Sequence, residues 1–430
     1  MNQKSARTWK ELVRDREILS WSLYDWANSA FATTVMAGFF PVFFKQYWSA
    51  GADVNVSTYQ LGNANSLSSA ILAFISPVLG AIADQASGKK RLLIGFSFMG
   101  IVMTGALSLV AKGDWPLAVI LYVIASIGFA GSNALYDALI VLVARPSEVN
   151  RVSALGFSLG YLGGGVLFAI NVLMTLKPEL FGLSGKTQAV QLSFVSVAIW
   201  WTTFSIPLIF FVREEKKPRG PTYLSMAAAG FRQVAGTFRE LRQLKNVTLF
   251  LFAYFFYIDG VNTIIRMAVD YGLSLGFSSE SLIVALLLTQ FVGFPAALLF
   301  GQLAQRIGAK AGLFVAIAAY TGITIFGYFM QTPAHFYLLA MAIGLFQGGI
   351  QSLSRSVFAA MTPKEKAGEF FGFFNMLGKF SSMMGPFLVG WVSLTTGSAR
   401  LSVLSLIILF IIGAIGLLFV RFDSALEVEN

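Results

Sequence analysis

Long apolar segments follow one another along almost the whole chain and are separated by short polar stretches. A helix needs about 20 residues to cross a hydrocarbon core of about 30 Å, and these segments are long enough. Twelve helices, numbered 1–12 in chain order, are predicted at 18–48, 59–83, 91–111, 116–143, 152–175, 188–212, 247–273, 281–304, 311–331, 334–361, 368–396 and 401–421. The pattern therefore predicts an all-α polytopic membrane protein.

A longer polar segment divides these helices into two sets of six. The predicted units are an N-terminal segment (1–17), a first six-helix bundle (18–212), a linker (213–245), a second six-helix bundle (246–421) and a C-terminal tail (422–430). Apolar residues recur in the linker at helical spacing, at Leu224, Phe231, Val234, Phe238, Leu241 and Leu244. This spacing predicts an amphipathic helix at the membrane surface. A solvated charged tether is the alternative.

Composition agrees with a membrane protein and excludes several chemistries. Of 430 residues, 56% are hydrophobic and 12% are charged, with a mean hydropathy of +0.71. Soluble proteins carry about 25% charged residues. The absence of cysteine excludes disulfides and iron–sulfur clusters, and a single histidine argues against a transition-metal site. We expect no metal and no cofactor, and no phosphate-binding GxxxxGK[ST] motif is present that would indicate ATP.

The net charge of +10 has a topological explanation. Most Lys and Arg residues of the predicted loops lie on the side of the N-terminus, and the opposite side holds only Lys45, Lys112, Lys177, Lys186 and Arg400. Cytoplasmic loops of membrane proteins carry such an excess of positive charge. We therefore expect both termini in the cytoplasm, a lipid bilayer as the surroundings, and no nucleic-acid partner.

The two halves resemble each other in sequence. The matching residues are Asp25, Asn28 and Ser29 with Asp259, Asn262 and Thr263; Asn133, Asp137 and Gly160 with Gln351, Arg355 and Gly378; and the Gly80–Lys89 stretch with the Gly301–Lys310 stretch. They occur in the same order and in corresponding helices. We expect a tandem repeat of six helices, related by an axis along the membrane normal.

Ionisable and amide side chains inside the predicted helices are the candidates for function. A charge at the centre of a membrane helix costs about 2.5–3.5 kcal/mol on insertion scales, so such residues usually face a polar interior. The candidate substrate and coupling residues are Asp25, Asn28, Asn133, Asp137, Asp259, Asn262, Arg266, Gln351, Arg355 and Lys379. All but Lys379, in helix 11, lie in helices 1, 4, 7 and 10. These four helices are therefore expected to line a central cavity.

Helix 7 carries a narrow polar stripe, since Asp259, Asn262, Arg266 and Asp270 lie at i, i+3, i+7 and i+11. Arg266 could clamp a substrate carboxylate, because a guanidinium matches carboxylate geometry. An internal ion pair with Asp259 or Asp270 is the structural alternative. Lys379 could neutralise an acid or meet a substrate.

Helices 4 and 10 repeat one polar layout with opposite charge, because Asp137 corresponds to Arg355. The repeat axis would place the acid opposite the base, where the pair forms either a gate or a permanent salt bridge. In helix 1, Asp25 has no base on its own stripe and is the candidate for proton exchange, since a buried carboxylate can change protonation between states. Hydrogen bonding near the helix end is the alternative for Asp25. Asp259, with Arg266 on its stripe, is expected to remain charged.

A family resemblance rests on these features. Two sets of six helices, a central linker and a Gly/Asp/basic loop after helix 2 resemble the major facilitator superfamily. The loop residues, expected to act in conformational change, are Gly80, Asp84, Gly88 and Lys89, with Arg306 in the second copy. The stretch Tyr24–Phe31 is similar to the vacuole-effluxer branch, the relatives of autophagy-linked vacuolar amino-acid exporters.

Some positions depart from the family pattern. Gly88 follows Asp84 by four residues where the superfamily has three, Gln305 replaces the acid of the second loop, and Tyr161 replaces the proline of the antiporter motif. Mixed acidic and basic groups in one cavity suit a small zwitterionic or anionic solute. The resemblance implies a secondary transporter that works by alternating access and exports amino acids. Proton coupling and a bacterial cytoplasmic membrane are expected. An exporter of another metabolite or drug, and a receptor or scaffold that transports nothing, are the alternatives; an enzyme is not expected.

Overall fold

The computed structural model describes residues 7–51, 71, 88–214, 244–363, 366–381 and 384–421, and most of these residues are helical. The helices are α1 (Trp9–Arg14), α2 (Arg16–Trp48), α3 (Lys89–Ala106), α4 (Trp115–Val143), α5 (Val149–Leu176), α6 (Lys186–Phe211), α7 (Lys245–Ser274), α8 (Ser279–Ile307), α9 (Ala309–Phe329), α10 (Pro333–Met361), α11 (Ala367–Ser381), α12 (Met384–Thr396), α13 (Ala399–Leu404) and α14 (Ile407–Leu418).

These helices match the apolar segments of the sequence. Ten spans in the described ranges are long and apolar enough to cross a membrane. Predicted helix 1 corresponds to α2, helices 3–10 to α3–α10, helix 11 to α11 with α12, and helix 12 to α13 with α14. Predicted helix 2, the amphipathic segment of the linker and the tail from residue 422 onward lie outside the described residues. The protein is a multi-pass membrane protein.

Local sequence signals account for the helix boundaries. Asp114 accepts a hydrogen bond from the backbone of Leu117 and caps α4, and Thr332 caps α10 in the same way. Pro116 and Pro333 stand in the first turn of these helices, where a missing N–H costs nothing. Gly308, with a φ of +83°, makes the tight turn between α8 and α9.

The exposed surface is apolar where it faces lipid, and small residues let the helices pack closely inside. Phe98, Leu109 and Phe387 are 67%, 85% and 75% exposed. A Cβ at Gly128 of α4 would lie 2.6 Å from the backbone nitrogen of Gly100 in α3. The glycines therefore allow a backbone contact that any side chain would block.

One helix departs from regular α geometry. Between Phe31 and Phe39, α2 winds as a π-helix, and it does so again over Phe44–Trp48. Pro41 lies between the two segments and has no N–H to donate to the helical ladder. The sequence signalled an apolar helix here but not this change of winding.

The two halves contact each other through α5 and α8. The hydroxyl of Ser158 donates to the carbonyl oxygen of Phe294 at 2.8 Å. Closer to the start of α5, a Cβ at Gly301 would lie 2.5 Å from the Cβ of Ala154, so the two helices touch backbone to side chain. We call the membrane side on which α2 and α5 begin the N-terminal side. Here the halves are closed against each other.

Candidate functional site

Arg355 of α10 lies at the centre of a buried cluster of charges between the halves. Only 3% of its side chain is exposed. Its Nη1 lies 3.0 Å from Oδ1 of Asp137 in α4 and 3.6 Å from Oδ2 of Asp25 in α2. The predicted opposition of Asp137 and Arg355 is therefore present as an ion pair, and Asp25 is a third member of the cluster.

The other nitrogens of Arg355 bind α5. Nε donates to the hydroxyl of Ser153 at 2.9 Å, and Nη2 donates to its carbonyl oxygen at 2.8 Å. The guanidinium also lies over the rings of Trp21 and Phe157, at 4.9 and 4.2 Å from their centroids. A planar guanidinium can make this fork of hydrogen bonds and stack on rings at the same time, which an ammonium group cannot. One side chain of the second half thus contacts three helices of the first half.

Both carboxylates have further partners from neighbouring helices. The hydroxyl of Tyr136 donates to Asp25 at 3.2 Å, and the amide of Asn375 donates to Asp137 at 3.3 Å. Sequence reasoning missed Tyr136, Ser153 and Asn375, together with Trp21 and Phe157. Asn375, a polar residue in an apolar helix, carried a usable signal, but the carbonyl group of Ser153 carried none.

The expectation that Asp25 lacks a neighbouring cation is wrong. It rested on the residues of helix 1 alone, where no base shares the stripe of Asp25. In the folded chain Arg355, from the other half, supplies the positive charge at 3.6 Å. Asp25 is thus a member of the ion-pair cluster that joins the halves.

Predicted amide residues pair within and between the halves. The amide nitrogen of Asn28 donates to the oxygen of Asn133 at 2.5 Å and joins α2 to α4. Gln351 accepts a hydrogen bond from the hydroxyl of Tyr161 at 3.3 Å, which joins α10 to α5. Tyr161 is the residue that replaces proline in the family motif, and here it makes a polar contact across the interface.

The polar stripe of α7 has a different environment. Asp259 is fully buried, and its Oδ1 accepts hydrogen bonds from Thr263, at 3.3 Å, and from the backbone of Gly385. Its Oδ2 has no hydrogen-bond partner among the described residues. Arg266, on the same stripe, is exposed and forms no ion pair with Asp259. Asn262 between them is partly buried.

The internal repeat is visible in how each acid meets a glycine of a neighbouring helix. A Cβ at Gly160 would lie 2.8 Å from the hydroxyl of Ser29 and 3.2 Å from Oδ1 of Asp25. A Cβ at Gly385 would overlap the hydroxyl of Thr263 and lie 3.0 Å from Oδ1 of Asp259. The sequence alignment of Gly160 with Gly378 is therefore wrong at the level of contacts. Gly378 instead lies beside the hydroxyl of Tyr254.

Part of the predicted loop can be placed. Gly88 precedes α3, and the backbone N–H of Lys89 donates to the carboxylate of Glu214 at 2.9 Å, which ties the start of α3 to the end of α6. Arg306 is exposed at the end of α8. Gly80 and Asp84 lie outside the described residues, as do the side chains of Asp270 and Lys379, although the backbone of Lys379 lies in α11. Within the described ranges, no group of three or more His, Asp or Glu residues could hold a metal ion.

Comparisons with known proteins agree with this architecture. A family model described as "Vacuole effluxer Atg22 like" matches residues 48–429. The uncharacterized MFS-type transporter YxiO of Bacillus subtilis is 41% identical over 416 residues, which cover 96% of each chain.

Solved structures show the same fold. The human organic anion transporter MFSD10 has a TM-score of 0.71 at 16% identity, over 94% of this chain and 99% of its own. The major facilitator superfamily proton:xylose symporter XylE has a TM-score of 0.71 at 14% identity, over 97% of this chain and 98% of its own. The predicted fold of two six-helix repeats is confirmed, and the relatives are transporters rather than enzymes. The chain belongs to the Atg22-like vacuole effluxer family of major facilitator transporters.

Proposed function

We propose that this transporter exports small polar solutes, amino acids foremost, by alternating access coupled to protons. The observation that carries the proposal is Arg355, which closes the N-terminal side through buried contacts to Asp25, Asp137 and Ser153. A charged cluster between two packed halves can separate only if water or other groups replace its contacts. It therefore suits a gate that is closed in one state and open in the other.

The proposed substrate class follows from the groups on α7. Arg266 is exposed, and its positive charge lies close enough to the neutral Tyr122 of α4 to influence that side chain, which places Arg266 opposite the first half. An exposed guanidinium facing the space between the halves can bind a substrate carboxylate through paired hydrogen bonds. The same stripe carries Asn262, an amide suited to the amino group of such a substrate.

Counterflow in proteoliposomes tests whether the protein transports solutes and which class of solute it accepts. We expect the wild type to catalyse counterflow of radiolabelled amino acids. For Arg266→Ala we expect the substrate concentration at half-maximal transport to rise about tenfold or more, since a hydrogen bond to a charged group contributes about 1.5–3 kcal/mol. Lys112→Ala, which removes an exposed cation from a loop, is the matched control and should behave as wild type. Counterflow of other metabolites or drugs, but not of amino acids, would show that the proposed substrate class is wrong. The absence of flux for every solute would indicate a receptor or scaffold.

We further propose that both termini lie in the cytoplasm and that the protein resides in a bacterial cytoplasmic membrane. The distribution of Lys and Arg supports this orientation. Because the chain has no cysteine, single cysteines report on sides directly. Lys112→Cys should react with an impermeant maleimide on intact cells, and Ser147→Cys only after permeabilisation; the opposite result would invert the topology. We also propose unit boundaries after residues 17, 212, 245 and 421.

A further inference from the structure

A short N-terminal segment lies against the closed side of the protein. Residues 7–15, which we call the strap, comprise α1 and the residues on either side of it. Thr8 and Glu11 form a capping box that fixes the start of α1. At Asp15 the backbone becomes extended, with φ −71° and ψ 115°, so that α1 is a separate element from α2. The strap is thus ordered by its own hydrogen bonds.

Arg7 ties the strap to the first half. Its Nε and Nη2 donate to the two carboxylate oxygens of Glu148, at 2.9 and 2.6 Å, and Glu148 is fully buried just before α5. The guanidinium of Arg151 donates in turn to the carbonyl oxygen of Arg7 at 2.5 Å. Bidentate pairs of this kind are among the stronger polar contacts in proteins.

Asp15 supplies a second tie, to α2. It accepts a hydrogen bond from Nη1 of Arg7 at 2.5 Å and caps α2 through the backbone N–H groups of Glu17 and Ile18. Burial opposes its ionisation, but these hydrogen bonds outweigh burial and lower the pKa of Asp15. The hydrogen bond to Glu148 raises the pKa of Arg7 above its ordinary value. The strap is therefore held to the first half by groups that are charged at neutral pH.

Trp9 reaches the second half. Two carbons of its indole ring lie 3.5 Å from the position that a Cβ would occupy at Gly301 of α8. The same position is 2.5 Å from the Cβ of Ala154 in α5, so Trp9 sits where α5 and α8 meet. Its ring is partly buried against the main hydrophobic core.

We propose that the strap is a latch that stabilises closure of the N-terminal side. The inference rests on the proposed alternating-access cycle, in which α5 and α8 part on this side. The contacts of Arg7 with Glu148 and Asp15 lie within the first half and persist during that motion. The contact of Trp9 with Gly301 joins the halves and is lost. Opening therefore removes an apolar contact in addition to the ion pairs of Arg355.

Distance measurements between spin labels test the latch in the full-length protein. Ser147, before α5, and Ala360, near the end of α10, are exposed and belong to opposite halves, and the chain offers no other cysteine. In Ser147→Cys/Ala360→Cys protein we expect Trp9→Ala to increase the population of the long distance about tenfold relative to the short one. Arg7→Gln, which frees the strap from Glu148, should shift the distribution in the same direction.

Two variants serve as controls. Arg14→Ala changes an exposed residue of α1 and should leave the distribution unchanged. Trp9→Phe keeps an aromatic contact and should give an intermediate shift, which a general loss of folding would not. Two distances in the wild type with no response to Trp9→Ala or Arg7→Gln would overturn the latch and leave the transport cycle standing. A single unchanging distance in every condition would overturn alternating access, and the latch with it.

Discussion

Replacing Arg355 with Ala should abolish transport and lower the free energy of unfolding by about 3–5 kcal/mol, the usual effect of removing one partner from a buried ion pair. Asp137 and Asp25 would be left buried without their cation, and Ser153 would lose two hydrogen bonds. Denaturant or thermal unfolding in detergent measures the stability, and counterflow measures transport. Lys112→Ala is the control for a lost positive charge.

Exchanging the acid and the base at positions 137 and 355 tests how much of the stability and of the transport depends on their opposite charges. The double variant Asp137→Arg/Arg355→Asp keeps opposite charges at the two positions. Its arginine extends from α4 and not from α10, so the hydrogen bonds with Ser153 are not restored. We therefore expect recovery of part of the stability and part of the transport, and Arg355→Lys should likewise fall between wild type and Arg355→Ala. Wild-type transport by Arg355→Ala or by Asp137→Asn would exclude the gate. Normal stability in both would exclude even a structural pair.

The helices could be predicted from sequence because membrane burial imposes a length and an apolar composition on each of them. The opposition of Asp137 and Arg355 was also predictable, since a repeat axis brings equivalent positions of two halves face to face. Neither rule could place Ser153 or Trp21 beside the guanidinium. Those contacts depend on how α5 and α2 pack against α10, and packing at this scale leaves no mark on the spacing of residues.

Distance along one helix proved a poor guide to electrostatic neighbours. Arg266 lies seven residues after Asp259, so their Cα atoms are separated by about 10 Å along the helix axis. A direct ion pair would require both side chains to extend towards each other along the helix. Arg355 lies in another half of the chain and yet approaches Asp25 to 3.6 Å. The surroundings of the two repeat-related acids are therefore the reverse of those expected. Asp25 is held by a cation, whereas Asp259 retains an oxygen without a hydrogen-bond partner among the described residues.

This difference between the two acids changes the residue at which we expect proton coupling. A buried carboxylate without an ion-pair partner is the kind of group that serves proton relays in membrane transporters. Asp259 is fully buried, and Thr263 and the backbone of Gly385 bind only one of its oxygens. We expect Asp259→Asn to decrease the substrate accumulation that a pH gradient drives by about tenfold or more, because asparagine cannot carry the proton. Exchange of substrate across the membrane should persist, since it requires no net proton movement.

The comparison with Asp25→Asn separates coupling from gating. Asp25 contacts Arg355 and Tyr136, so Asp25→Asn weakens the closed N-terminal side and should slow gradient-driven uptake and exchange to the same extent. Thr263→Val, which removes the hydroxyl but leaves Asp259, serves as the control and should keep some response to the gradient. Both assays are run on the same liposomes, with the same gradient and the same substrate. Normal pH-driven accumulation by Asp259→Asn, together with its selective loss in Asp25→Asn, would return the proton to Asp25 and leave Asp259 a structural residue.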